Sequence, residues 1–151
     1  MVNNYSFYPY EGVIKEYIDR YKFQGDYQLR HIFVNLMKKQ LPQDCVIVPI
    51  PISAETMHKR HFNQVVGWLD LKFTPALIAK PKAKSQFEKN RLERLLTGQP
   101  FEIDAKYSTQ IEAKDICLVD DIYTTGATVH HAAQLLKSAG AKTVRSITLA
   151  R

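Results

Sequence analysis

The segment whose residue types and spacing best suit chemistry is ICLVDDIYTTGAT, residues 116–128. Its apolar start is typical of a buried strand, which would present Asp120 and Asp121 at its carboxyl end, where open α/β sheets bind ligands. Two adjacent carboxylates repel each other unless hydroxyl groups or a cation engage them. Residues 124–128 (TTGAT) then lead into a helix, whose first N–H groups and threonine hydroxyls suit a phosphate. Acids for sugar hydroxyls followed by amides for a phosphate indicate a phosphorylated ribose as the ligand.

Other phosphate-binding motifs do not match this segment. A Walker loop requires a Lys directly after the glycine, whereas Ala127 follows Gly126. A dinucleotide fingerprint requires three closely spaced glycines, and the whole chain has only six. A plain strand-to-helix turn with a threonine cap remains the alternative to a phosphate site.

The elements that must position these residues follow from hydrophobic periodicity. Apolar residues recur at helical spacing within 14–21 and 29–37, and Gly25 and Asp26 separate these two predicted helices. Apolar and β-branched runs predict strands at 45–50, 77–80, 116–120 and 143–150. Further helices are predicted over 61–71, 85–96 and 128–139.

Together these elements predict an α/β fold with a mainly parallel sheet flanked by helices. A strand, a helix and a strand follow one another over 116–150, which is the order of a βαβ unit. The chain has 151 residues, of which 45% are apolar and 24% charged, as in ordinary globular proteins. This length favours a single domain over 1–151, with residues 1–41 as N-terminal helices packing on it.

The cysteines and the apolar runs argue against several other classes of protein. Cys45 and Cys117 lie in or beside apolar runs and are predicted to be small buried residues, not a disulfide or metal ligands. The longest apolar run, 46–52, is interrupted by two prolines and is far shorter than the roughly 18 residues of a spanning helix, so no membrane insertion is expected. Residues 1–11 lack the basic head and apolar body of a secretory signal, and the expected location is the cytoplasm.

The formal net charge of +6 is concentrated in one stretch of the chain. Residues 58–94 hold nine Lys or Arg against three acids, whereas the remaining residues are balanced. This stretch predicts a polyanionic ligand, and a solvated basic face is the alternative. It offers only four Phe or Trp for stacking, so nucleic-acid binding is permitted and not specifically indicated.

Residues 116–128 resemble the phosphoribosyl pyrophosphate (PRPP) signature of type I phosphoribosyltransferases. Four weaker blocks, in the right order, narrow the resemblance to the ComF-type competence proteins. They are YKFQGD at 21–26, VPIP at 48–51, RHFNQ at 60–64 and a K-x-x-x-Q region at about 82–86. The resemblance covers nearly the whole chain and implies a type I phosphoribosyltransferase-like fold.

By this resemblance, Asp120 and Asp121 are the catalytic pair that holds the ribose hydroxyls and helps to place Mg²⁺, the expected cofactor. The other residues expected to bind PRPP are Thr124, Thr125, Gly126, Ala127 and Thr128 for the 5′-phosphate, Tyr123 as a stacking or shielding residue, Pro51, Ile52 and Ser53 in the pyrophosphate loop, and Arg60, Lys84 and Lys59 as counter-charges. The type I reaction separates pyrophosphate from C1 through an oxocarbenium-like state. These residues would therefore position the substrate, stabilise charge and exclude water.

The chain departs from the family pattern at two places. No four-cysteine zinc module stands ahead of Tyr8, so no zinc is predicted, and His61 stands where the family usually has glycine. The resemblance implies a role in DNA uptake during natural competence, with an acceptor that the sequence does not identify. The candidate partners are single-stranded DNA, a helicase-like competence ATPase and a second copy of the chain. The alternative hypothesis is a non-catalytic component that keeps the fold and binds single-stranded DNA or a partner protein.

Overall fold

The computed structural model describes residues 2–81 and 98–151, and the predicted helix over 85–96 and Lys84 lie outside these ranges. The strands are β1 (Asn4–Tyr8), β2 (Val46–Pro49), β3 (Leu77–Ala79), β4 (Phe101–Ile103), β5 (Asp115–Ile122) and β6 (Thr143–Ala150). Four of them form a parallel sheet in the order β1, β6, β5, β2. Strands β3 and β4 form a separate antiparallel pair.

The helices flank this sheet. They are α1 (Gly12–Ile18), α2 (His31–Gln40), α3 (Ala54–Arg60), α4 (Gln64–Gly67), α5 (Ser108–Ile111) and α6 (Ala127–Ser138), with a π-helical turn at Asp19–Phe23 and 3₁₀ turns at Tyr27–Arg30 and Ala105–Tyr107. The α/β fold with a mainly parallel sheet flanked by helices is therefore confirmed, with strands β5 and β6 and helix α6 as its βαβ unit.

Both faces of the sheet are buried, because successive residues of β5 enter two different apolar clusters. Cys117 and Val119 pack with the N-terminal helices in a cluster that includes Tyr21 and Trp68. Ile116 and Leu118 face the other side, where they pack with the inward residues of α6. Strands covered on both faces read as continuous apolar runs, which is why β5 was readable from the sequence.

The parallel register brings three strand ends to one edge of the sheet. Pro49, the last residue of β2, lies opposite Val119, and Thr148 of β6 lies opposite Asp120. The loops that follow β2 and β5 therefore leave the sheet next to each other. This edge is where an open parallel sheet binds its ligand.

The predicted helix over 61–71 is wrong in extent, since only α4 is helical there. His61 ends α3 in the left-handed region at φ 67°, and Asn63 is extended, so the chain turns twice before α4 begins. The Asn63 side chain then caps α4 by accepting hydrogen bonds from the N–H groups of Val65 and Val66. Helix α3 itself was not predicted.

The N-terminal region is only partly helical, contrary to the expectation for residues 1–41. Residues Asn4–Tyr8 form β1, which extends the sheet beside β6. A polar cross-strand contact supports the pairing, because the Ser6 and Thr148 hydroxyl oxygens lie 2.7 Å apart. Helices α1 and α2 follow, as expected.

Burial of the cysteines agrees with the sequence analysis. Cys117 is buried, Cys45 is half-buried, and both are free thiols. Burial raises the pKa of the Cys117 thiol to about 12, which suits a packing residue rather than a nucleophile. Among the residues that the structure describes, no helix is long and apolar enough to cross a membrane.

Candidate functional site

The acid pair lies at the carboxyl end of β5, where both side chains are almost fully buried. Asp120 is 6% exposed and Asp121 is 5% exposed. Each carboxylate accepts a hydrogen bond from the backbone N–H of the next residue, over 2.9 Å for Asp120 and 2.7 Å for Asp121. The strand end thus holds the two carboxylates in fixed positions before any ligand is considered.

Asp121 is also bound by two side chains from distant parts of the chain. Its Oδ2 accepts hydrogen bonds from the Lys22 ammonium and, over 3.1 Å, from the Gln64 amide. The Arg60 guanidinium in turn donates to the Gln64 amide oxygen. A continuous chain of contacts therefore links α3, α4 and the N-terminal π-helical turn to one carboxylate.

Asp120 has a different environment. Its pKa is raised well above the usual value, first by burial and then by the charge of Asp121. The charged form of this side chain is costly until a cation or hydroxyl donors reach it. Such a group is a strong candidate for ligand binding.

The donor set fits a hard cation that is held partly by its substrate. The pair offers anionic oxygen atoms, which Mg²⁺ prefers. Within residues 2–81 and 98–151, no group of three or more His, Cys, Asp or Glu side chains could hold a metal alone. Mg²⁺ characteristically binds through one or two carboxylates plus substrate phosphates, and Asp120 and Asp121 would be those carboxylates.

The loop after β5 forms the N-terminus of α6. Gly126 is the residue before the helix and has φ 76°, a left-handed conformation that favours glycine. A Cβ at Gly126 would also collide with the Tyr123 ring, whose face is covered by the Arg151 guanidinium at 5.5 Å. The Thr125 hydroxyl accepts a hydrogen bond from the Ala127 N–H over 3.3 Å.

This loop has the properties of a phosphate cradle. Thr124, Thr125 and Thr128 are exposed, so their hydroxyls are accessible. The first N–H groups of an α-helix have no partner within the helix, and α6 presents them beside those hydroxyls.

The loop after β2 lies beside the acid pair. Ile50 continues the ladder by donating its N–H to the Val119 carbonyl over 2.9 Å, and its own carbonyl accepts from the Asn63 amide over 3.0 Å. Ser53 then caps α3, because its hydroxyl accepts from the Thr56 N–H over 3.2 Å. Residues 50–53 are thus held at both ends.

One cavity of about 510 Å³ connects these parts. Of the residues predicted from the sequence, it is lined by Ile52, Ser53, Arg60, Asp120, Asp121, Thr124 and Thr128. Pro51, Tyr123, Thr125 and Ala127 are not in its lining but adjoin lining residues in the chain, and Gly126 lies between Thr125 and Ala127. Lys84 is outside the described residues. Lys59 is exposed and pairs with Glu55 over 2.7 Å, outside this cavity.

Arg60 lies inside the cavity and is half-buried. Burial lowers the pKa of its guanidinium, and the charge of Asp121 opposes that shift. Its hydrogen-bond acceptor, the Gln64 amide, is neutral, so an anion would find an incompletely compensated cation there.

Sequence reasoning missed four polar or charged lining residues: Lys22, Thr56, Gln64 and Lys80. Lys22 and Gln64 stand inside the blocks YKFQGD and RHFNQ, so the signal was present, but no periodicity assigns a role to either side chain. His61 has a left-handed φ of 67°, a conformation that favours glycine, which is the residue that the resemblance to the ComF type implies at this position.

Comparison with known proteins agrees with this geometry. The family model "Phosphoribosyl transferase domain" matches residues 30–151. The competence protein ComFC of Streptococcus pneumoniae is 36% identical over 99% of this chain and 69% of its own length. The chain belongs to the ComF-type branch of the phosphoribosyltransferase superfamily. ComFC of Bacillus subtilis is 39% identical over 98% of this chain and 64% of its own length.

A solved structure gives the same fold. The allosteric regulatory enzyme of purine biosynthesis superimposes with a TM-score of 0.51 at 16% identity, over 79% of this chain and 24% of its own. This likeness concerns the fold alone.

Proposed function

We propose that this protein binds PRPP with Mg²⁺ at the carboxyl edge of its sheet. In this proposal, Asp120 and Asp121 hold the ribose hydroxyls and the metal, the loop at 124–128 holds the 5′-phosphate, and residues 50–53 hold the pyrophosphate. The observation that carries the proposal is the single cavity onto which all three segments open. When bound, Mg²⁺ would neutralise pyrophosphate charge as that group departs.

The chain's own residues would supply positioning and charge. The half-buried Arg60 lines the cavity, and among the described residues its side-chain hydrogen bond goes to a neutral acceptor, which suits the guanidinium to a pyrophosphate oxygen. The buried acids would orient the sugar, and the ordered loops would limit water at C1. Because the two ComFC relatives are named competence proteins, we further propose that the chain acts in natural competence. A cytoplasmic location, a helicase-like ATPase as partner and a homodimer remain predictions from the sequence. The acceptor is not identified.

Calorimetric titration of PRPP, with and without Mg²⁺, tests the proposal. Arg60→Met is expected to weaken binding about 10- to 150-fold, the equivalent of losing one hydrogen bond to a charged group. Lys59→Met is the matched control, because Lys59 is adjacent on α3 but is 73% exposed and paired with Glu55. Absence of PRPP binding by the unmodified protein in the presence of Mg²⁺ would refute the proposal.

Binding of single-stranded DNA is the second candidate, and one surface feature favours it. Phe23 is 66% exposed, and the Lys22 and Arg60 cations lie 5.4 and 6.0 Å from its ring centre. An exposed ring between cations suits a stacked base beside its phosphate. Phe23→Ala should then weaken DNA binding about 5- to 150-fold and weaken PRPP binding much less, since, within the described part of the chain, the only PRPP-binding residues it supports are the neighbouring cations. Tyr5→Ala, at another exposed ring, should change neither. DNA affinity that is independent of salt would contradict this candidate.

A further inference from the structure

The Lys22 side chain reaches the acid pair from the far end of the sequence. It lies on the π-helical turn Asp19–Phe23, 99 residues before its partner Asp121. Only 18% of the lysine side chain and 8% of the aspartate side chain are exposed. The ion pair is therefore largely withdrawn from solvent, and it lines the same cavity as the other site residues.

The contacts of Asp121 leave it well compensated in the absence of a ligand. One carboxylate oxygen accepts from the Lys22 ammonium and the Gln64 amide, and the other accepts from the Ile122 N–H. A metal ion that used Oδ2 of this carboxylate would have to displace the positively charged Lys22 ammonium. Asp120, by contrast, has its backbone hydrogen bond but no ion pair among the described residues.

We propose that Lys22 is the counter-ion of the ligand-free site and that it prevents a divalent cation from binding to the acid pair alone. The cation then enters only together with a phosphorylated sugar, whose anionic oxygens complete the coordination and give the displaced ammonium a new partner. Lys22 acts through Asp121 and is a positioning residue. The proposal rests on the proposed function, because it assigns the order in which the ligands of that site bind.

The competing explanation is that Lys22 only fastens the N-terminal segment to the sheet. In that case its removal would lower stability but would not change metal affinity. The two explanations therefore differ in a measurement that needs no PRPP and no turnover.

Mn²⁺ is the probe, because it shares the oxygen-ligand preference of Mg²⁺ and is detected by electron paramagnetic resonance. Free and bound Mn²⁺ are measured with the full chain, without PRPP, for the unmodified protein, Lys22→Met and Lys22→Arg. Lys22→Met should bind Mn²⁺ about 5- to 150-fold more tightly than the unmodified protein, the usual range for coupling between two ligands. Lys22→Arg keeps the charge and should resemble the unmodified protein. The matched control is Lys15→Met, an exposed lysine on α1.

Equal Mn²⁺ affinity of Lys22→Met and the unmodified protein would overturn the proposal. Lys22→Gln, which keeps a hydrogen-bond donor to Asp121, replaces Lys22→Met if thermal unfolding shows that the latter does not fold. The unmodified protein is informative by itself, because Mn²⁺ binding that is equally tight with and without PRPP would also overturn the proposal. Failure of PRPP to bind at all with Mg²⁺ would instead refute the proposed function, so the two failures are distinguishable.

Discussion

Gly126 in the phosphate loop meets two structural requirements, a left-handed backbone conformation and space beside the Tyr123 ring, and Gly126→Ala tests both. The first requirement is the backbone, because Gly126 has φ 76°. The second is space, because an added Cβ would collide with the Tyr123 ring. Gly25 has the same φ of 76° but no atom within 4 Å of the corresponding Cβ, so Gly25→Ala is a control for the backbone alone.

The expected costs follow from these contacts. An alanine in the left-handed region costs about 1–2 kcal/mol, which is the whole expected loss for Gly25→Ala. In Gly126→Ala the Tyr123 ring must also move away from the Arg151 guanidinium, whose cation–π contact is worth about 0.5–1 kcal/mol at an exposed site. The expected loss of unfolding free energy for Gly126→Ala is therefore about 1.5–3 kcal/mol.

Urea unfolding of both single variants, and of each combined with Tyr123→Ala, measures these costs. The Tyr123 replacement should reduce the cost of Gly126→Ala to that of Gly25→Ala, and should leave the Gly25→Ala cost unchanged. Inorganic phosphate titrated by calorimetry should bind more weakly to Gly126→Ala alone, because the loop is displaced. If Gly126→Ala and Gly25→Ala cost the same free energy, the close approach of Tyr123 does not constrain the loop and the reasoning is refuted.

Three further predictions concern the support of the site. Burial and the neighbouring carboxylate raise the pKa of Asp120 in the folded protein, so folding favours its protonated form. The free energy of unfolding that Asp120 contributes therefore falls as the pH rises from the unfolded-state pKa near 3.8 through the higher folded-state pKa. Asp120→Asn should therefore be more stable than the unmodified protein at pH 7 in thermal melts, with the gain vanishing below pH 3.8, and an undiminished gain there would contradict this. Asn63→Ala removes the cap of α4 and the hydrogen-bond donor to the Ile50 carbonyl, and should lower the free energy of unfolding in urea by about 1–3 kcal/mol. A loss near zero would show that neither contact stabilises the protein. Tyr21→Phe leaves the buried Gln64 carbonyl without its 2.7 Å donor and should cost about 1–3 kcal/mol, and a neutral result would mean that water replaces the hydroxyl.

The second half of the fold could be predicted because its physical causes are local in sequence. Strand β5 is buried on both faces, so its apolar run is continuous, and it continues the predicted strand to Ile122. The apolar residues of α6 recur at helical spacing, and the four that face the sheet are buried: Val129, Ala132, Ala133 and Leu136.

The first half was harder because tertiary contacts override local preference there. Residues 61–71 have helical periodicity, but His61 adopts a left-handed conformation and Asn63 an extended one, which leaves four helical residues. Gly67 ends this short helix where a Cβ would collide with the Tyr21 hydroxyl, a contact between residues that no local pattern connects. Strand β1 is short and half-polar, and its position depends on the partner strand β6, which lies at the other end of the chain.

The same distinction separates the two members of the acid pair. Adjacent in sequence, Asp120 and Asp121 carry identical chemistry, and a motif can treat them only as a pair. In the fold, Asp121 accepts hydrogen bonds from Lys22 and Gln64, which lie in two of the blocks that carry the resemblance to the ComF type. Asp120 has a raised pKa, and among the described residues its side chain accepts only a backbone hydrogen bond. The phosphoribosyltransferase motif therefore supplies the two carboxylates, and residues outside that motif make their environments unequal. Any activity particular to this family should accordingly depend on the residues that contact Asp121 as well as on the motif itself.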